Sequence, residues 1–162
     1  MKLHEFQTKG DVDTHQVAAQ QISFTLNDEP INASSGETIL QAAKRNRIDI
    51  PHLCFAEGLA TAGNCRACVV EIEGERALAP SCCRNPTEGM KVYSDNARAR
   101  KSQSLVLELL HGEVGNATHT NDSELKNWCD QYELEESRFG GRHQPHGDLS
   151  HPAIAVNMES CI

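Results

Sequence analysis

An α+β domain built on a mixed sheet is the fold class this sequence predicts, and three observations predict it. Short runs near residues 21–33, 69–80 and 89–94 alternate apolar and polar residues, as half-buried strands do. Two stretches, from about Glu37 to Asn46 and from Asn96 to about His111, carry their apolar residues at helical spacing instead. The order is hairpin, helix, cysteine-rich loop, hairpin, strand, helix, which suits helices packed against a sheet.

Each element has its own local reason. In QISFTLN, Ile22, Phe24 and Leu26 share one face of a strand. Asp28, Glu29 and Pro30 read as the turn, and Ile31 to Ala33 starts the returning strand. Ser34 or Ser35 can cap the first helix, and Glu37 suits the positive end of its dipole. Ile39, Leu40, Ala42 and Ala43 form that helix's apolar face. Val69 to Glu73 and Arg76 to Pro80 flank Gly74-Glu75 as a hairpin, and Gly89 to Ser94 is one more strand. Asp95 can cap the second helix, whose inner face is expected at Ser102, Leu105, Val106, Leu109 and Leu110. Ser123 to about Tyr132 reads as a short helix with Leu125, Trp128 and Cys129 on one face.

The chain has 162 residues, room for one compact domain with tails. Residues 1–20 are polar and aperiodic and read as a mobile arm. Residues 21–112 hold the domain, 113–137 a short helical extension, and 138–162 a linker rich in Gly, His and Pro. The net charge is −8, and its acidic residues are scattered, so no basic face offers itself to nucleic acid. No window reaches transmembrane length and the N-terminus lacks an apolar signal core, so a cytoplasmic protein is expected, without membrane insertion. Seven cysteines in a reducing compartment point to metal binding rather than to a disulfide framework.

Five of those seven lie between Ile48 and Arg84. Cys54, Cys65, Cys68 and Cys82 fall in the pattern C-x10-C-x2-C-x13-C. A [2Fe–2S] cluster takes four thiolates, two on each iron, and a Cys-x2-Cys turn can present two sulfurs to one small region. Gly58 to Asn64 is rich in small residues that let backbone N–H groups approach an anionic centre. A four-cysteine zinc site is the rival, although zinc ribbons usually offer two short-spaced pairs and only Cys65/Cys68 is one here. A Rieske centre would need two histidine ligands, and no Cys-x-His unit occurs. Cys83, next to Cys82 in a strand, is expected to face the other way as a small buried residue. His52 is expected to be an ordinary structural histidine, and Cys129 a core residue.

The cysteine spacing, with AGNCRACVVEIEG and the APSC after it, resembles the N-terminal [2Fe–2S] ferredoxin-type domain of large redox subunits. These are the cluster-bearing subunits of respiratory complex I and of NAD-reducing hydrogenases, and the alpha subunit of NAD-dependent formate dehydrogenases. GETILQAAKRNRIDIPHLC, GERALAPSCCR and DLSHPAIAVNMESCI are most similar to the formate dehydrogenase alpha subunit. The resemblance implies a β-grasp (ubiquitin-like) fold and passage of single electrons between a catalytic centre and a nicotinamide-reducing partner. Flavin- and molybdopterin-bearing subunits are the implied partners. Two departures accompany it. No cysteine follows His111 until Cys129, so the relatives' histidine-ligated [4Fe–4S] site is not expected, and no candidate for formate oxidation is present. Cys161 resembles the first ligand of a further ferredoxin motif and is expected to be unligated, in a tail from Arg138 onward that packs poorly. The chain thus reads as the N-terminal part of a longer or split subunit. A zinc-stapled interaction domain and an iron–sulfur redox sensor are the alternatives.

Overall fold

The computed structural model describes residues 21–114, 123–140 and 147–156. The expectations placed on residues 1–20, Met158 and Cys161 lie outside the described residues. Strand β1 (Gln21–Leu26) pairs antiparallel with β2 (Glu29–Ser34) and parallel with β5 (Lys91–Tyr93). Strand β3 (Val69–Ile72) lies antiparallel to β5 and to the short β4 (Ala79–Pro80). The sheet order is β2-β1-β5-β3-β4, a mixed sheet with its one parallel pair between two hairpins. With helix α1 (Ile39–Arg45) packed across one face, this is the β-grasp arrangement.

The first hairpin turns on two residues only. Asn27 and Asp28 have φ of 54° and 65°, the left-handed pair of a type I′ turn, whose twist matches that of the strands. The turn expected at Asp28-Glu29-Pro30 is therefore corrected: Pro30 lies inside β2, opposite Thr25. Because β2 is an edge strand, the N–H that proline lacks can face outward without cost to the ladder. The cap of α1 is corrected as well. Thr38 takes that place, with its side chain accepting from the Gln41 N–H while Gln41 Oε1 accepts from the Thr38 N–H, a reciprocal capping box. Glu37 instead accepts from the Ser34 N–H and pairs with Arg45. Ile39, Leu40, Ala42 and Ala43 are buried against Phe24, Leu26, Ile31 and Val70. Each large aliphatic side chain buried there contributes about 1.5–3 kcal/mol.

Helix α2 (Ala97–Val114) is capped by Asn96, whose Oδ1 accepts from the Ala99 N–H, and not by Asp95. Its face is rotated from the apolar count: Ala99, Gln103, Leu107 and Glu108 are buried, whereas Leu109 is exposed and Ser102, Leu105, Val106 and Leu110 are half-buried. Gln103 explains the rotation. Its Nε2 donates to the carbonyls of Val69, 2.8 Å, and Ser94, 3.1 Å, and its Oε1 accepts from the Tyr132 hydroxyl at 2.7 Å. A buried glutamine with three partners locks α2 to β3, and counting apolar residues does not register it.

Helix α3 (Glu124–Gln131), capped by Ser123, buries Leu125 and Cys129 as expected. The two join Ala67 and Leu107 in a second core, with Leu53, Cys65 and Trp128 packed against it. Beyond α3, Arg138 reaches back to Glu108, which is only 3% exposed, through its N–H, Nε and Nη2. The tail is thus anchored at Arg138, a correction to its reading as linker throughout. A two-stranded hairpin, β6 (Asp148–His151) with β7 (Ile154–Val156), follows. Leu149, Ile154 and Val156 on it are exposed, in line with the poor packing expected.

Candidate metal centre

Two elements carry the four cysteines toward each other. The loop after α1 brings Cys54, and the Cys65–Cys68 turn feeds straight into β3. Arg66 inside that turn has φ of 57°, a left-handed conformation that lets the chain double back within two residues. Cys82 follows β4 on the second hairpin. Ser81 fixes the spacing between the two arms: it is fully buried, and both its N–H, at 3.0 Å, and its hydroxyl, at 2.8 Å, donate to the Cys68 carbonyl. The first N–H groups of α1 hold the same turn, Ile39 N donating to Arg84 O at 2.8 Å and Leu40 N to Ser81 O at 3.0 Å. Helix-start donors that need partners are thereby used to anchor the segment that bears Cys82.

The thiols come as two pairs. Cys54 and Cys65 are half-buried and lie side by side. Cys68 and Cys82 are buried and interact with each other. Burial works against a thiolate at Cys54, but the N–H groups of Cys65, Asn64 and Cys54 itself outweigh it and hold its thiol below the ordinary value. Burial pushes the Cys65 thiol up, against N–H groups of Ala67, Cys54 and Leu53 that favour the thiolate. Burial also pushes the Cys82 thiol up, and the Cys68 and Cys83 sulfurs beside it add to the shift. Binding of a metal here must therefore release protons from Cys65 and Cys82. All six described cysteines are free, in keeping with a metal-binding rather than a disulfide role.

These residues fit a [2Fe–2S] cluster. It asks for four thiolates, two on each iron, and for N–H donors around an anionic centre. Both are present, the donors concentrated where Asn64, Cys65 and Ala67 turn. An open cavity of about 360 Å³ lies between Leu53, Cys54, Asn64, Cys65 and Leu110 at the half-buried pair. A larger hollow of about 690 Å³, bordered by Ser34, Glu37, Lys44 and Glu57, has no thiol in its lining.

Cys83 departs from expectation. It is exposed, and its Sγ lies 3.5 Å from the Cys82 Sγ. Strand β4 ends at Pro80, and residues 81–83 form a turn closed by Cys83 N donating to Pro80 O at 3.1 Å. In a turn, neighbouring side chains do not alternate between faces, so the strand-based reading fails. Proline followed by a serine and two cysteines was the available signal for it. Gly63 is the counterpart: its φ is +65°, and a Cβ there would sit 2.8 Å from the Cys83 Sγ. His52 is structural as expected, its Nδ1 2.8 Å from the Ile50 carbonyl and its ring 6.0 Å from those of Phe55 and Trp128.

Comparison with known proteins gives the same cofactor. Residues 19–97 match the 2Fe-2S iron-sulfur cluster binding domain family. The chain is 34% identical to the NADP-reducing hydrogenase subunit HndD of Solidesulfovibrio fructosivorans over 87% of its own length and 26% of that protein's. It is 28% identical to the mitochondrial NADH-ubiquinone oxidoreductase 78 kDa subunit of Candida albicans, over 88% of this chain and 21% of that one. The crystal structure of an NAD+-reducing [NiFe]-hydrogenase in the H2-reduced state superimposes with a TM-score of 0.75 at 31% identity, over 87% of this chain and 62% of that one. The chain thus spans about a quarter or less of the two curated relatives. Among the described residues, no helix is long and apolar enough to cross a membrane.

Proposed function

We propose that this [2Fe–2S] ferredoxin-type domain, related to subunits of NADH-quinone oxidoreductases and of NAD-reducing hydrogenases, relays single electrons with Cys54 and Cys65 on one iron and Cys68 and Cys82 on the other. The observation that carries the assignment is the arrangement of the thiols as two pairs, one half-buried and one buried. When bound, the cluster takes up and gives back one electron; the chain's task is to hold it, shield it and set its potential. Asn64, Cys65 and Ala67 N–H groups stabilise negative charge on the sulfurs; Ala67, Leu107 and Leu125 pack beside Cys65, while Cys68 and Cys82 sit in the main core. The half-buried Cys54–Cys65 pair is the side from which an electron can leave.

The finer placement, as the N-terminal part of a formate dehydrogenase-like alpha subunit, is supported by the wording around Cys54 and Cys82 and by DLSHPAIAV. Flavin-bearing, NAD-reducing and molybdopterin-bearing subunits are the partners this implies. A cytoplasmic site is supported by the free thiols. Cys-to-Ser substitution tests the ligand set. Replacing Cys54, Cys65 or Cys68 should remove or strongly alter the visible spectrum, and Cys83→Ser should leave it nearly intact. An unaltered, full-strength spectrum in Cys65→Ser would sink the assignment. Reversible one-electron titration tests the relay role; loss of the cluster on a single redox cycle would favour a sensor.

A further inference from the structure

Cys83 has no part in the ligand set just given, yet its sulfur borders both halves of the cradle. On one side it lies 3.5 Å from the Cys82 Sγ. On the other it packs over Gly63, two residues before Cys65, so closely that a Cβ at that glycine would sit 2.8 Å away. These are independent contacts, one within the 81–83 turn and one across to the loop that carries the outer pair. The residue is exposed, unlike Cys68 and Cys82. Its sulfur thus lies 3.5 Å from a buried ligand sulfur, on a turn that α1 holds at Ser81 and Arg84.

We propose that Cys83 is a reserve ligand, taking the iron position of Cys82 whenever that bond is broken. The exchange is balanced: one iron–sulfur bond breaks at Cys82 and one forms at Cys83. The Cys83 thiol releases its proton as it binds, and the freed Cys82 thiolate takes one up. No oxidant or reductant is needed. The idea rests on the [2Fe–2S] reading of the cradle and adds to it a fifth thiolate used in turn with the fourth.

Iron and acid-labile sulfide content, with visible and EPR spectra, should be compared for wild type, Cys83→Ser, Cys82→Ser and Cys82→Ser/Cys83→Ser, all purified anaerobically. Cys82→Ser should keep about two irons per chain and an all-thiolate spectrum. The double variant should lose the cluster or shift to an oxygen-ligated spectrum. Identical spectra for Cys82→Ser and the double variant would overturn the proposal. Iron-free wild type would instead overturn the cradle reading beneath it. A second readout does not depend on the folding of Cys82→Ser: iron release to a chelator from Cys83→Ser, whose change is at an exposed site, should be severalfold faster than from wild type. Equal release rates would also overturn it.

Discussion

Gln103→Leu tests whether the buried glutamine, rather than the apolar stripe, sets the seat of α2. The replacement keeps the volume nearly constant and removes three hydrogen bonds, to Val69 O, Ser94 O and the Tyr132 hydroxyl. A net hydrogen bond is worth about 1 kcal/mol, and stranded buried acceptors add to the loss, while the leucine recovers some apolar burial. The balance is a destabilisation of about 3 kcal/mol. For a domain of this size that lowers the Tm by roughly 10–15 °C. Anaerobic melting of the cluster-loaded protein, followed by circular dichroism, reads it. Tyr132→Phe removes only one of the three bonds and should cost about 1 kcal/mol. The double variant should fall close to Gln103→Leu alone, because the two side chains share a bond. A Tm drop under about 3 °C for Gln103→Leu, or strict additivity, would refute the reasoning.

Other outcomes follow from the same geometry. Ser81→Ala should cost about 1 kcal/mol and loosen the Cys68–Cys82 spacing, visible as a changed EPR line shape in the reduced protein. Glu108, held down to about 2 by the Arg138 guanidinium, contributes stability that is full above the ordinary carboxylate value of 4.5 and is lost as pH falls from there toward 2. The hydrogen-exchange protection of the Arg138 N–H, which donates to Glu108 Oε1, should therefore collapse across that window, and Glu108→Gln should flatten the pH dependence. Gly63→Ala should destabilise by about 1–3 kcal/mol through its positive φ and its contact with Cys83, and Cys83→Ala should restore part of that loss. Removing iron should lower the Tm markedly and raise exchange across Cys54 to Cys68, since metal binding then no longer contributes to folding; equal midpoints for the apo and loaded forms would contradict this.

The strands and helices could be read from the residues because each carries a strong local period: Phe24 and Leu26 alternate, and Ile39, Leu40 and Ala43 recur at helical spacing. The cysteine spacing alone likewise points to the cofactor. What escaped was set by side-chain hydrogen bonds and by turn geometry. Thr38 rather than a serine caps α1 because Gln41 lies three residues on to complete the box. The face of α2 turns on a glutamine, and the tail is tethered by one arginine that finds a buried carboxylate thirty residues earlier. Cys83 escaped because β4 is only two residues long, so alternation ends before the two adjacent cysteines. The second core, formed with α3, lies beyond the region matched by the ferredoxin family, and its link to Ala67 and Cys65 shows only in three dimensions.

The central claim is that two pairs of thiolates in this chain hold one [2Fe–2S] cluster. Metal and acid-labile sulfide analysis of anaerobically purified protein, with EPR after one-electron reduction, tests it most directly. About two irons and two sulfides per chain, a brown colour and a half-integer-spin signal that Cys65→Ser loses or shifts are the predicted result. A colourless protein carrying about one zinc per chain and no labile sulfide would contradict it.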